Sequence, residues 1–320
     1  MTDAAAPLRR RDFLTHSAAA IGSAVGAAVG VAAFAGFSAP ANAVTNESPA
    51  TRTPTLPPAT VRDVIDAIER ATPSKPPGTP TVDRVIVGDP DRPLTGIVTA
   101  TFPTVDVIRR TAALGANCLL VHEPTFYTAN DDSSFLQDDP VHRAKRELLA
   151  RHGIVVWRDH DRIHAMRPDG VVLGIVDAMG WRAHHDPARP GVVDIPETPL
   201  VQLLDTAKRA LGAADVQYVG DPALACRRVL VSPGFDTFRS VQPKLVASGA
   251  DVLLAGEMFQ WEAAEYFRDA VALGARRALV LTGHAVNESP GMQWLVPWLR
   301  DLLRYDRITY VPTGDPFRRR

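Results

Sequence analysis

The sequence predicts an α/β protein with two similar lobes of β-α-β layers and mixed, mostly parallel sheets. Apolar runs of strand length alternate with amphipathic helical segments, as parallel β-α-β units require. A helix, a Gly-Ala pair, an apolar strand and then an acidic or His residue occur in that order three times, ending at His122, Glu257 and His284. Open α/β sheets bind ligands at such strand ends. We therefore expect the functional site in the crevice between the lobes.

The first half of the chain supplies seven predicted elements. Thr60 is a cap residue ahead of an amphipathic helix, and the Pro-rich stretch 73–80 ends that helix. Gly115 stops a second helix before the strand that leads to His122. The predicted helices are 61–71, 104–114 and 140–152, and the predicted strands are 82–87, 96–102, 117–121 and 154–157.

The second half repeats this alternation up to the strand before the C-terminal tail. Its predicted helices are 199–211, 241–248, 260–273 and 292–303, and its predicted strands are 228–232, 251–254, 278–281 and 308–311. We assign 59–130 together with 250–320 to the first lobe and 131–249 to the second.

Residues 1–43 have the features of an export signal. Three arginines, Arg9 to Arg11, precede an Ala/Gly-rich stretch over 15–37, and Ala41-Asn42-Ala43 offers a small-residue cleavage site. An arginine pair followed by Asp-Phe-Leu resembles the twin-arginine pattern. The alternative is a retained membrane anchor. We expect cleavage after Ala43, a flexible linker over 44–58, and an exported chain without a stable membrane span.

Charge and cysteine content exclude two kinds of site. The formal net charge is −1, which leaves no electrostatic footprint for nucleic acid. Cys118 and Cys226 are the two cysteines, and two thiols cannot hold a metal ion without other ligands. They could form a disulfide in an exported protein, although two buried thiols fit their surroundings better. A metal ion here must be held by His, Glu or Asp.

Three clusters of such residues follow predicted strands. The first is His122-Glu123-Pro124, the second runs from Asp159 to His164, and the third is Gly283-His284 with Glu288 four residues on. Spacing of four puts two side chains on one face of a helical turn, where they can share an ion. Each cluster also has an ordinary interpretation, as a hydrogen-bonded loop pair, a solvated loop or a capping pair.

These motifs resemble the Nif-three-like dinuclear metal-binding family, also described as GTP cyclohydrolase I type 2-like. That family shows His-His-Pro after a strand, then His-x-x-x-Asp, then Gly-His-x-x-x-Glu. This chain has the same three segments in the same order, with Glu123 in place of the second His and His164 in place of the Asp. Imidazole and carboxylate have therefore exchanged positions. The Gly256-Glu257 segment also departs, since Trp261 follows where the family commonly has a histidine.

The resemblance implies two divalent transition-metal ions per chain, and a ligand set without thiolate admits Zn, Mn, Fe, Ni or Co. It also implies a homo-oligomer, commonly a hexamer. The implied ligands are His122, Glu123, His164, His284 and Glu288.

Three functions remain open from the sequence. A dinuclear hydrolase would act on a nucleotide-like, phosphoester or cyclic amide substrate, with Glu257 or Asp161 as general base and His160 as a supporting group. A non-enzymatic metal-binding or interaction protein would use the same ligands. A nucleotide-binding domain without metal ranks last, because Gly88-Asp89-Pro90-Asp91 is not a phosphate-binding loop.

Overall fold

The structure is a computed structural model that describes residues 57–76 and 78–318. The predicted signal over 1–43 and nearly all of the predicted linker lie outside the described residues. Within the described ranges, no helix combines the length and apolarity that a bilayer crossing requires.

Ten strands and nine α-helices make up the described part of the chain. The strands are β1 (Arg84–Val87), β2 (Ile97–Ala100), β3 (Cys118–Val121), β4 (Val155–Arg158), β5 (Val192–Pro199), β6 (Gln217–Val219), β7 (Ala225–Phe235), β8 (Val252–Glu257), β9 (Ala278–Leu281) and β10 (Ile308–Tyr310). The helices are α1 (Val61–Ala71), α2 (Val105–Ala113), α3 (Pro140–Arg151), α4 (Asp161–Ala165), α5 (Gly170–Ala178), α6 (Leu200–Leu211), α7 (Phe238–Ser248), α8 (Glu265–Ala272) and α9 (His284–Leu303).

The strands form two five-stranded sheets, with orders β1-β4-β3-β2-β10 and β5-β7-β8-β9-β6. The inner strands of both sheets are parallel, while β1, β5 and β6 are antiparallel edge strands. The predicted class of mixed, mostly parallel sheets is confirmed. In both sheets the carboxyl ends of the parallel strands carry the His and Glu residues singled out above.

One shared core joins the sheets. Strand residues alternate between its two faces, so that Leu120 of β3 and Leu254 of β8 both pack into the central cluster together with α1, α5, α6 and α9. The other face of the first sheet packs with residues of α2 and α3, and the other face of the second sheet packs with residues of α7 and α8. The chain is therefore layered as helices, sheet, helices, sheet, helices.

A close helix crossing fixes the central layer. A Cβ added at Gly174 of α5 would lie 2.4 Å from the backbone nitrogen of Gly291 and the carbonyl oxygen of Pro290, both in α9. Only glycine allows backbones to approach so closely. This contact holds the first turns of α9, which carry His284 and Glu288.

Some elements have no counterpart among the predicted ones. α5 is buried on nearly all sides, so its apolar run has no helical periodicity. α9 starts at His284 rather than at 292, although Pro290 lies inside it. Burial against α5 outweighs the backbone hydrogen bond that this proline cannot donate. α4, β5 and β6 are short or lie at a sheet edge and have weak patterns.

The sheets divide the chain at other points than the predicted lobes. β4, placed in the lobe 131–249, belongs to the first sheet, and β8 and β9, placed in the other lobe, belong to the second sheet. Strand periodicity predicts that these segments are strands, but it does not indicate which neighbours they pair with.

Both cysteines are buried free thiols, which confirms the interpretation preferred from the sequence. Burial raises the pKa of Cys118 to about 12. Neither thiol belongs to a group of candidate metal ligands among the described residues.

Lys145 of α3 is a buried cation that clamps the loop after β3. Its ammonium group donates to the carbonyl oxygen of Thr125 at 2.7 Å and lies 5.0 Å from the ring centroid of Tyr127. Burial lowers its pKa to about 8, with a smaller opposing effect from Asp131.

This lowered pKa predicts a pH-dependent stability. Between about pH 8 and pH 10.5 the unfolded chain holds more protons at Lys145 than the folded chain, so stability rises with pH across that window. The expected gain is at most roughly 3 kcal/mol. Lys145→Met should remove it in urea unfolding at pH 7.5 and pH 10, whereas Lys208→Met, at an exposed position of α6, should not. Equal pH slopes for the wild type and Lys145→Met would contradict the assignment.

Candidate metal centre

Side chains from both sheets meet at the carboxyl ends of the parallel strands. His122 and Glu123 directly follow β3, His160 follows β4, and His284 follows β9 after one turn at Gly283. Gly283 has φ +91°, a conformation that favours glycine, and it starts α9 so that His284 and Glu288 lie on one helical face. The expected meeting of the three clusters in one crevice is therefore found.

Glu123 lies at the centre of this cluster. Its Oε1 atom is 3.9 Å from Nε2 of His122, 3.5 Å from Nε2 of His160 and 3.4 Å from Nε2 of His284. One carboxylate oxygen thus faces imidazole nitrogens that follow three different strands. Such an oxygen can contribute to a cation site together with these imidazoles.

Glu288 completes the cluster from α9. Its Oε1 is 3.5 Å from His122 Nε2, and its Oε2 is 3.1 Å from His284 Nε2. The glutamate side chain is 2 % exposed and His122 is fully buried. A buried carboxylate requires a counter-charge or hydrogen-bond donors, since desolvation of a lone ion costs several kcal/mol.

Two groups of ligand atoms are close enough to hold an ion. One consists of His122, His160 and His164, and the other of His122, Glu123 and Glu288, with the ligand atoms of each group within 4.8 Å of one another. Within the described part of the chain, His122 Nε2, His284 Nε2 and Glu288 Oε2 are buried without a hydrogen-bond partner, because their close approaches are poorly aligned. A metal ion satisfies such atoms, so these residues fit one.

The opposite nitrogen of each imidazole has a partner, which fixes the ring. His122 Nδ1 lies 3.2 Å from the carbonyl oxygen of Asp159. The other three face carboxylates, namely His160 with Asp161 at 3.3 Å, His164 with Asp169 at 2.9 Å and His284 with Glu257 at 2.9 Å. This pattern is typical of metal-ligating histidines, whose second nitrogen binds a carboxylate or carbonyl.

The carboxylates make the cluster attract positive charge. Burial lowers the pKa of His122, but the nearby carboxylates of Glu288 and Glu123 outweigh the effect of burial and raise this pKa to about 9. Burial opposes charge on His284 as well, yet Glu123, Glu257 and Glu288 raise its pKa to about 12. Burial raises the pKa of Glu288, while His122 and His284 hold it well below its ordinary value. The two carboxylates thus favour cations here, and a divalent ion can supply the charge in place of protons.

Arg158, at the end of β4, explains the carboxylate at position 123. Its Nη2 lies 3.4 Å from Glu123 Oε2, its Nη1 lies 3.3 Å from Asp131 Oδ2, and its Nε donates to the carbonyl oxygen of His122 at 3.1 Å. The side chain is 3 % exposed. One oxygen of Glu123 is thus turned toward Arg158 and the other toward the imidazoles. An imidazole at 123 would leave Asp131 as the carboxylate partner of this buried guanidinium.

Gly234 of β7 is a site residue that the sequence motifs do not reveal. A Cβ at this position would lie 2.0 Å from Glu288 Oε1 and 2.9 Å from His284 Nε2. Its amide donates to Asn287 Oδ1 at 3.0 Å, which ties β7 to the first turn of α9. In the sequence Gly234 is a lone glycine near a strand end. Its local pattern does not distinguish it from a glycine at an ordinary turn.

The three residues proposed for catalysis have different surroundings in the structure. His160 lies among the candidate ligands, with its ring stacked on His122 at 4.5 Å between centroids. The Asp161 carboxylate pairs with the Lys75 ammonium group and accepts hydrogen bonds from the Thr81 hydroxyl group and the Val82 amide, in addition to its contact with His160. It therefore holds His160 in place and is poorly placed to accept a proton. Glu257 holds His284, and its side chain remains 57 % exposed.

A comparison of the sequence with family models identifies the family of this chain. The model of Duf34/NIF3 (NGG1p interacting factor 3) matches residues 59–310, which is most of the chain. The chain belongs to the Duf34/NIF3 family. Among curated proteins, none matches this sequence.

Solved structures show the same fold in other proteins. The Staphylococcus aureus hypothetical protein SA1388 is 17 % identical, covers 82 % of this chain and 99 % of its own, and has a TM-score of 0.65. The Bacillus cereus protein related to NIF3 is 16 % identical, with 81 % and 98 % covered and a TM-score of 0.64. Reduced HcgD from Methanocaldococcus jannaschii is 16 % identical, with 80 % and 98 % covered and a TM-score of 0.56.

Replacing Gly234 tests whether the Duf34/NIF3 cluster needs this close approach. Gly234→Ala should lower Co²⁺ affinity by about tenfold or more, because the added methyl group displaces Glu288. Gly249→Ala is the matched control, since Gly249 has φ +64° against +56° at Gly234 but meets nothing nearer than an Arg228 nitrogen at 3.7 Å. Both variants place an alanine at a left-handed φ. Equal Co²⁺ affinities by titration calorimetry would show that Gly234 does not shape the site.

Proposed function

We propose that this Duf34/NIF3 protein binds two divalent transition-metal ions and uses them to hydrolyse a nucleotide-like, phosphoester or cyclic amide substrate. The observation that carries the proposal is the position of Glu123 Oε1, between 3.4 and 3.9 Å from three imidazole nitrogens, beside a fully enclosed Glu288. A structural salt-bridge cluster would align its hydrogen bonds, whereas here three buried ligand atoms lie near opposite charges but have no aligned hydrogen bond among the described residues.

The ligands divide between the two candidate positions. His160 and His164 belong to the imidazole-rich group, and Glu288 belongs to the group with two carboxylates, which His284 also approaches. His122 is common to both groups, and Glu123 Oε1 faces residues of both. The proposed set is the predicted one of His122, Glu123, His164, His284 and Glu288, enlarged by His160. Without thiolate it admits Zn, Mn, Fe, Ni or Co.

When bound by these residues, two such ions would supply Lewis acidity toward the reacting group of a substrate and toward water near neutral pH. The protein contributes the orientation of the imidazoles through Asp161, Asp169, Glu257 and the Asp159 carbonyl. Glu257 is the proposed proton acceptor, because its side chain reaches both His284 and solvent. Phe102 covers one side of His284, with 5.6 Å between ring centroids.

Elemental analysis of the full chain, purified without added metal, tests the first half of the proposal. We expect two equivalents of transition metal per chain, removed by a chelator. His284→Ala and Glu288→Gln should lower metal affinity on the order of 100-fold because each takes away a ligand. His184→Ala, which changes an exposed histidine outside the cluster, should retain both equivalents. Less than one equivalent in the wild type would overturn the metal centre.

Turnover separates a hydrolase from a metal-binding protein without activity. The metal-loaded chain should hydrolyse at least one of three substrate classes, namely nucleotides, phosphodiesters and cyclic amides, and lose this activity with chelator and with His284→Ala. Full metal content without turnover on any class would favour storage, sensing or partner binding instead.

Export and self-association, which the signal-like N-terminus and the family resemblance suggest, are also part of the proposal. Expression of the full chain in a host with the twin-arginine route should give an exported product that starts at Val44, as intact mass would show. Replacement of Arg9 and Arg10 by Lys should keep the chain inside the cell. Sedimentation velocity of the mature product measures its oligomeric state.

A further inference from the structure

Three aromatic side chains, Phe235, Phe259 and Trp261, form an exposed cluster beside the metal centre, which we call the aromatic platform. Trp261 is 71 % exposed, and the other two are about 40 % exposed. The rings of Phe259 and Trp261 stack with 4.5 Å between centroids and 17° between planes. Phe235 meets Phe259 edge-on at 5.0 Å. Large aromatic groups gathered on a surface indicate a contact with a ligand or partner.

The platform is continuous with the candidate metal ligands. Phe235 follows Gly234, whose Cα approaches Glu288 closely. In the pairing of β7 with β8, Phe235 lies opposite Glu257, and Glu257 holds His284 at 2.9 Å. Phe259 is two residues beyond Glu257. The platform therefore begins at the carboxylate that orients a ligand histidine.

An unusual backbone presents Trp261 to solvent. The segment Gln260–Ala264, between β8 and α8, is a π-helical turn, a rare conformation that is frequent at functional sites. Ala263 is fully buried on its inner side, and the Glu262 carboxylate accepts a hydrogen bond from the Phe238 amide at 3.1 Å. The turn is thus held on one side while Trp261 projects from the other.

We propose that the aromatic platform binds the planar ring of a heteroaromatic substrate whose phosphoester or amide group reaches the metal centre. This inference rests on the proposed function and narrows its substrate class. Aromatic side chains stack on nucleobases and similar rings with a gain of roughly 5- to 150-fold in affinity per ring. The half-exposed Glu257 carboxylate lies at the junction and can accept an N–H group from the ring edge.

Calorimetric titration with adenosine 5′-monophosphate and ribose 5-phosphate tests the inference, because the second probe has the same sugar and phosphate with a hydroxyl group where the first carries the adenine ring. The metal-loaded full chain should bind the nucleotide about tenfold more tightly or better. Trp261→Ala should remove that preference and leave the affinity for ribose 5-phosphate unchanged. Trp261→Phe should retain most of it. Tyr218→Ala is the control, since it removes an exposed aromatic side chain two strands away from β8.

Three results would overturn the inference. Equal affinities for the two probes would show that the ring is not recognised. An unchanged preference in Trp261→Ala would show that recognition lies elsewhere. A change of sedimentation coefficient in Trp261→Ala, without a change in probe affinity, would identify the platform as a contact between chains. Elemental analysis of each sample keeps the failures apart, because a wrong platform leaves two metal equivalents in place, whereas a wrong metal centre does not.

Discussion

The enclosure of the Glu288 carboxylate is the constraint on which the rest of this structure depends. A charged group that is 2 % exposed requires positive partners on more than one side, and His122 and His284 provide them from two different sheets. Those partners come together only if α9 begins directly after Gly283 and if its first turns lie against α5 and β7. The glycines at 174 and 234 make both approaches possible. The charge arrangement of the site therefore depends on the backbone packing of α9 against α5 and β7.

The position of Glu123 shows how a change in a candidate metal ligand can be accommodated. Glu123 has a carboxylate where the family motif has an imidazole, and the second oxygen of this carboxylate is directed toward Arg158. At the complementary position, His164 has a carboxylate, Asp169, behind it. Each exchanged ligand thus has a neighbour of the appropriate charge. The local charge balance, more than the identity of any one ligand, is what this pair of changes preserves.

The aromatic platform and the candidate metal centre share a structural origin. β7 ends with Gly234 and Phe235, and Phe259 lies two residues beyond Glu257 at the end of β8, so a single sheet edge supplies both surfaces. A polar, charged interior beside an exposed stacking surface is the common form of a small-molecule site that uses a few polar groups for orientation and apolar surface for affinity. The Trp261 position, where the sequence departs from the family pattern, accordingly gains a function of its own in the proposal.

The sequence by itself determined the α/β class, most strands and amphipathic helices, and the three His and Glu clusters after strands, because side-chain periodicity and strand-end chemistry are local properties. It did not determine α5, whose uniformly apolar residues have no periodic pattern, or the start of α9, since Pro290 locally favours an end. The sheet membership of β4, β8 and β9 and the participation of Arg158 and Gly234 were decided only by the tertiary structure. Pairing partners, close backbone approaches and buried counter-charges are long-range contacts, and a single sequence carries no local trace of them.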